Sequence, residues 1–225
     1  MEQNNPEPKN DFYLIHYLTL RKTVGFLGIL LPVILVLGSI MIFGCPNVET
    51  SISNYYHTNM GNVFVGILCA FSVFLFAYKG PEKKDGIAGN IAGTFGAIAA
   101  ICPTTIKDGI CFPSGMTPAL HSDYIGTIHL IFAALFFVVL AYFSLFLFTK
   151  TSGNPTPEKL KRNKVYKICG VVMIACILLL IPYFAFPSMK PQLNEYKYVF
   201  CLETIALWAF GFSWLTKGEF LLKDK

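Results

Sequence analysis

Six apolar blocks, each close to the length needed to cross a bilayer, dominate this chain: Val24 to Phe43, Gly61 to Tyr78, Gly86 to Cys102, Tyr124 to Thr149, Ile168 to Phe186, and Tyr198 to Thr216. A helix of about 20 apolar residues spans the hydrocarbon core because lipid offers backbone amides no partner and a helix satisfies its own. At 54% hydrophobic and 14% charged, the 225 residues are too apolar for an ordinary soluble domain. The expected fold is an all-α polytopic membrane bundle of six transmembrane helices. Residues 24–216 would form it, between an N-terminal segment (1–23) and a C-terminal tail (217–225). The first 23 residues are polar and carry no short apolar core with a small-residue cleavage site, so the first block reads as a retained span rather than a signal peptide.

Charge sets the orientation. Of the 18 Lys and Arg residues, all but Lys107, Lys190 and Lys197 lie in the N-terminal segment, in the loops after the second and fourth blocks, or after the sixth. Basic loops are retained on the cytoplasmic side, so both termini are expected there, in a plasma membrane or bacterial inner membrane. The net charge of +5 is then a topology signal facing lipid headgroups, and it does not point to nucleic acid.

Cys69, Cys169, Cys176 and Cys201 fall within blocks, where a thiol behaves as a small hydrophobe. Cys45, Cys102 and Cys111 fall at the outer loops, where an oxidising compartment permits a disulfide. Cys102 and Cys111 flank a short loop and are the expected pair, with Cys45 free or competing. The third block is rich in small residues, with Gly89 and Gly93 four apart beside Ala92 and Gly96, a spacing that lets helix backbones approach closely. It is expected to be the central helix, packed within the chain or, alternatively, forming a homo-oligomer face. The fourth block is bulky on every side and, at about 1.5 Å per residue, longer than the hydrocarbon is thick, so its outer end should tilt or protrude. The loop from Lys150 to Lys167 reads as the longest cytoplasmic connection, and Pro32 and Pro182 as kinks.

The candidate chemistry lies on the outer side. His57, His121 and His129 are there, with Glu49, Asp123, Glu203 and several hydroxyl residues, whereas His16 is in the N-terminal segment. His129 is five residues into the fourth block and Glu203 five into the sixth, about 7 to 8 Å below their helix ends, so they could meet at one depth. An ionised Glu facing lipid would be costly, which favours an interior position with a partner, and His129 is the one named. For a metal, His57, His129 and Glu203 would suit zinc as three ligands with water in the fourth position, and Asn62 could add a polar group nearby. His121 lies about 12 Å of helical rise from His129 and joins only if the loop folds inward. Ser53 and Asp123 are the candidate catalytic or proton-transfer groups.

At Ser53-Asn-Tyr-Tyr-His57 the chain resembles the Ser-x-x-x-His element in the second span of the hemolysin III and progestin/adipoQ receptor family, relatives of the alkaline ceramidases. That resemblance implies a multi-span zinc hydrolase acting on lipid amides or esters, with Ser53 as an orienting or oxyanion-side residue and His57 as a ligand. At Ser51-Ile-Ser53, and in its six-span layout, the chain is similar to the small membrane families that include the DRAM proteins and GPI-anchor remodelling factors. At Val63-Phe-Val-Gly66 and from Phe210 to Gly218 it looks like a set of uncharacterised bacterial inner-membrane proteins, a resemblance that implies no activity.

No phosphate-cradling glycine loop, Cys-x-x-Cys, Gly-x-Ser-x-Gly or His-Glu-x-x-His occurs. The leading expectation is a metal-assisted hydrolase or lipid-modifying enzyme with membrane lipids as its partners. The alternative is a non-enzymatic carrier, channel or membrane sensor in which His129 and Glu203 exchange protons or bind a cation. A third reading keeps the pair as a buried hydrogen bond that fixes helix register.

Overall fold

The computed structural model describes residues 8–106, 110–111, 123–151 and 153–223, with side chains from Tyr17 onward. It is all-α among these residues: α1 (Pro8–Met41), α2 (Gly61–Ala77), α3 (Lys83–Ile101), α4 (Asp123–Tyr142), α5 (Pro157–Ala185), the short α6 (Lys190–Glu195) and α7 (Tyr198–Lys217), with a 3-10 turn at Ser53–His57. Four stretches are long and apolar enough to cross a membrane, Tyr17–Met41, Asp123–Leu147, Pro157–Ala185 and Tyr198–Lys217. The apolar α2 is shorter, and α3 is diluted by glycines and by the exposed Asn90 and Thr94. Large apolar side chains such as Leu37, Leu178 and Ile181 are half exposed on the outer faces. Such a continuous apolar surface suits contact with lipid rather than water.

Local chemistry explains where the helices start. Thr156 caps α5, its hydroxyl accepting the Lys159 N–H at 3.1 Å, with Pro157 and Glu158 in the first turn, where a missing N–H and a negative charge are both favoured. The connection before α5 is therefore shorter than the expected loop to Lys167. At α3, Glu82 and Asp85 form a capping box, and the Lys150 ammonium ties both carboxylates to the end of α4 at 3.0 and 3.1 Å. The fourth apolar block runs as one long helical stretch, Asp123–Leu147, whose ladder changes at its end. It closes in a π turn, Phe143–Leu147, where Ser144 and Ser213 share a buried hydroxyl hydrogen bond of 2.7 Å. Similarly, α1 begins inside the expected polar segment, at Pro8.

The central helix is α7, not α3. Of its apolar stretch 61% is buried, whereas α3 exposes Ile87, Asn90, Ile91 and Thr94 on one side. The small residues of α3 do face other helices: a Cβ on Gly93 would lie 2.9 Å from the Ser72 carbonyl of α2, and one on Gly96 would lie 3.2 Å from Phe136 of α4. An equally close approach joins α1 to α7, where a Cβ on Gly211 would sit 2.7 Å from the Gly25 carbonyl. Trp214, fully buried, is ringed by Tyr78, Phe143, Phe148 and Phe210 at centroid distances of 5.3 to 5.7 Å. Trp208 donates its indole N–H to the Ile29 carbonyl at 3.1 Å, close to the interruption that Pro32 makes in α1.

Hydrogen bonds sort the connections onto two ends of the bundle. The segments 42–60, 102–106 and 110–111 and the start of α7 meet at one end. The turn before α3, the end of α4, the start of α5 and the end of α7 meet at the other.

Candidate functional site

At the first end the loops are tied together covalently and by buried polar groups. The disulfide is Cys45–Cys111, with Cα atoms 6.1 Å apart, and it replaces the expected Cys102–Cys111 pair. Sequence spacing favoured the short loop, but the chain at Cys111 returns beneath Glu49, whose carboxylate accepts the Cys111 N–H at 3.2 Å and brings Cys45 within bonding geometry. Cys102 is free and ends α3. Glu49 is itself buried, and loss of water pushes its carboxyl above the ordinary value despite the Cys111 N–H and the nearby Lys197. The Tyr55 hydroxyl, which accepts the Glu49 N–H, is pushed up to about 12 by burial.

These ties shape a cavity of about 570 Å³ among α4, α6, α7 and the loop before α2, lined by Ser51, Ser53, Thr104, Thr105, Thr127, His129, Lys190, Asn194 and Glu203, among others. The two residues expected to converge, His129 and Glu203, both line it, as does Ser53. Each is also anchored to backbone. His129 Nδ1 lies 2.9 Å from the Ala99 carbonyl and 2.8 Å from the Cys102 carbonyl. Both partners can only accept, so Nδ1 carries a proton, and in the ring's neutral form the lone pair is on Nε2. Glu203 Oε2 accepts the Ile52 N–H at 2.5 Å and holds the start of the 3-10 turn that presents Ser53. Ser53 Oγ lies 3.1 Å from Ser51 Oγ, which accepts the Asn54 N–H.

Two further hollows adjoin the chamber. A void of about 50 Å³ lies among His129, Glu203, Phe136 and Leu207. A groove of about 450 Å³ runs between α4 and α5, lined by Leu130, Ala133, Ala134, Phe137, Ile177, Leu180, Ile181, Phe184 and Ala185, and it too reaches Glu203. Glu203 and Ala133 line all three hollows. The groove is apolar throughout except for that carboxylate, and several of its wall residues are exposed on the bundle's side.

The other expected residues stand apart from the chamber. His57 Nε2 donates to the Thr104 carbonyl at 2.7 Å, bracing the segment that forms one chamber wall. Asp123 is the exposed first residue of α4, and Asn62 is exposed on α2. His121 lies outside the described residues. Among the described residues no three His, Cys, Asp or Glu side chains gather as a metal-ligand group. Sequence reading missed the threonine wall and the α6 contribution. Gly126 marks the wall, since a Cβ there would lie 2.8 Å from the Thr105 nitrogen, and Tyr183 marks α6 by donating its hydroxyl to Asn194 at 2.7 Å.

Compared with known proteins, the chain matches no protein-family model, no curated protein and no solved structure.

Proposed function

We propose that the protein is a six-span membrane enzyme, with both termini cytoplasmic, that binds an amphiphilic lipid at its outer end and hydrolyses an ester or amide bond in it. The observation that carries this reading is the position of Glu203 and Ala133 where a polar chamber meets an apolar groove open to the side of the bundle. A lipid has the same polarity profile. Its headgroup would occupy the chamber, its acyl chain would lie between α4 and α5, and the carbonyl joining them would rest at the junction.

The chain supplies a base at that junction. His129 Nε2 takes a proton from a water molecule as the water oxygen bonds to the carbonyl carbon. The C–O or C–N bond then breaks, and the proton passes to the leaving oxygen or nitrogen. Glu203 positions the water, and the Ser53 hydroxyl donates towards the carbonyl oxygen as negative charge develops there. The same Nε2 and the Glu203 carboxylate are the groups here that could take part in holding zinc, which would polarise the carbonyl.

Below the chamber the 50 Å³ void gives way to the packed aromatic core of Phe71, Phe136, Phe210 and Trp214, which favours a dead-ended site over a conduit for ions. The test is fatty-acid release from vesicles containing ester and amide lipids, by protein purified without chelator, with its metal content measured. Release that His129→Gln abolishes in folded protein supports the reading. No release from any lipid class, with or without added zinc, removes it.

A further inference from the structure

We propose that the protein pairs with a second copy of itself through the outer face of α3, with Asn90 of one copy meeting Asn90 of the other. Ile87, Asn90, Thr94, Ala97 and Ile101 follow one another at intervals of three, four, three and four residues. That spacing keeps them in one stripe, and it is the spacing of the seam along which two parallel helices wind together. The structure turns the stripe away from the bundle. Asn90 and Thr94 are exposed, as are Ile87 at 57% and Ile101 at 70%, and Ile91 flanks them. The small residues of the same helix are occupied on the other side, where Gly89 and Gly93 approach α2 and Gly96 approaches α2 and α4.

The polarity of the stripe says what covers it. The midsections of α1, α5 and α7 expose apolar side chains, as at Leu37, Leu178, Ile181, Ile205 and Phe212, whereas α3 presents a carboxamide and a hydroxyl. The Thr94 hydroxyl donates back to the Asn90 backbone carbonyl at 2.9 Å, but the Asn90 carboxamide makes no hydrogen bond to a described residue. Asn90 lies five residues beyond Asp85, about 7 to 8 Å along the helix, where hydrocarbon offers an amide neither donor nor acceptor. A second copy offers both. A carboxamide is its own complement, and a twofold axis beside Asn90 gives two reciprocal N–H to oxygen bonds. One Asn within such a seam also fixes a parallel register and a stoichiometry of two. Parallel pairing requires both copies to cross the membrane in the same sense, so it rests on the six-span reading. A hollow of about 410 Å³ beside Ile87 and Asn90 leaves room for the partner's side chains at this end.

The experiment uses the full chain in phosphatidylcholine vesicles, with the dimer fraction read by single-molecule photobleaching as protein is diluted into lipid. Wild type is expected to pass from dimer to monomer along a two-state isotherm. Asn90→Leu keeps the side-chain volume and removes the amide pair, so its midpoint should move about tenfold towards higher protein density. Mild oxidation of Asn90→Cys should give a disulfide-linked dimer beyond any formed by wild type or by Leu178→Cys on α5. Wild type that stays monomeric at every density overturns the proposal, as does an unchanged midpoint in Asn90→Leu or equal crosslinking from Leu178→Cys. Should Asn90→Leu fail to fold, Thr94→Trp tests the same stripe by bulk: it should abolish the dimer, and an unchanged dimer overturns the proposal. Lipid turnover on the same vesicles separates this pairing from the enzymatic reading, since Asn90 lies outside the chamber. Turnover without a dimer counts against the pairing alone, and a dimer without turnover counts against the enzyme alone.

Discussion

Glu203 of α7 accepts the backbone N–H of Ile52, 151 residues earlier in the chain, and so links the central helix to the turn that carries Ser53. One oxygen of the carboxylate is committed to structure, while the residue as a whole faces the chamber and the groove. Structural and chemical roles are therefore separable by substitution.

Glu203→Gln keeps an acceptor for Ile52 and should cost about 1 kcal/mol of stability or less, whereas Glu203→Ala leaves that N–H unsatisfied at about 1–3 kcal/mol. Lipid turnover should fall by about 100-fold or more in Glu203→Gln, the scale of a lost proton-transfer or water-positioning group. Melting curves and turnover measured on the same samples separate the two effects. Full activity in the folded Gln variant would take Glu203 out of the chemistry.

The Cys45–Cys111 bridge closes a loop with a sequence separation of 66 residues. Confining a loop of that size restricts the unfolded chain by about 4 kcal/mol in the chain-entropy account. Cys45→Ser and Cys111→Ser should therefore lower the melting temperature alike, and a reducing agent should lower that of wild type but not of either variant. Non-reducing peptide mapping should find Cys102 as a free thiol.

At the crossing of α1 and α7, Gly211 faces the Gly25 carbonyl with no room for a side chain. Backbone cannot yield as a flexible side chain would. Gly211→Ala should force the helices apart and destabilise the protein by about 1–3 kcal/mol, while alanine at Gly66, whose Cβ would meet nothing within 4 Å, should be close to neutral. Equal melting of the two variants would contradict the close approach.

Burial raises the Glu49 carboxyl above its ordinary 4.5. The native protein then holds this proton more tightly than the unfolded chain, so Glu49 lowers stability as pH rises from 4.5 through the native value, with the full cost present above it. Glu49→Gln can still accept the Cys111 N–H and removes the ionisation. Its stability relative to wild type should improve between pH 4.5 and pH 7.5. A difference that is flat, or that moves the other way, would contradict the burial argument.

The long apolar helices were legible because hydrophobic length is a local property. His129 and Glu203, placed at one depth by helical rise, line one cavity, each anchored to backbone. The start of α5 was not legible: Thr156 caps the helix at Pro157, but the basic composition around it read as a loop running to Lys167. The disulfide, the threonine wall and α6 were not, because they depend on the path of outer loops that carry no periodicity. The central place of α7 was hidden for a related reason. Small residues in α3 mark close approach, but burial depends on how many neighbours a helix has, and α7 packs against α1 and α5 with large aromatics that look equally at home facing lipid.

The most direct test of the proposed amphiphile site is photocrosslinking with a phospholipid carrying a light-activated group on its acyl chain, in vesicles, followed by peptide mass spectrometry. Labels should concentrate on groove residues Phe137, Ile177 and Ile181 and fall away when Ala133→Trp fills the junction. Labels spread evenly over exposed side chains elsewhere on the bundle, such as Leu37 and Val73, and unchanged by Ala133→Trp, would show that the groove holds no lipid of its own.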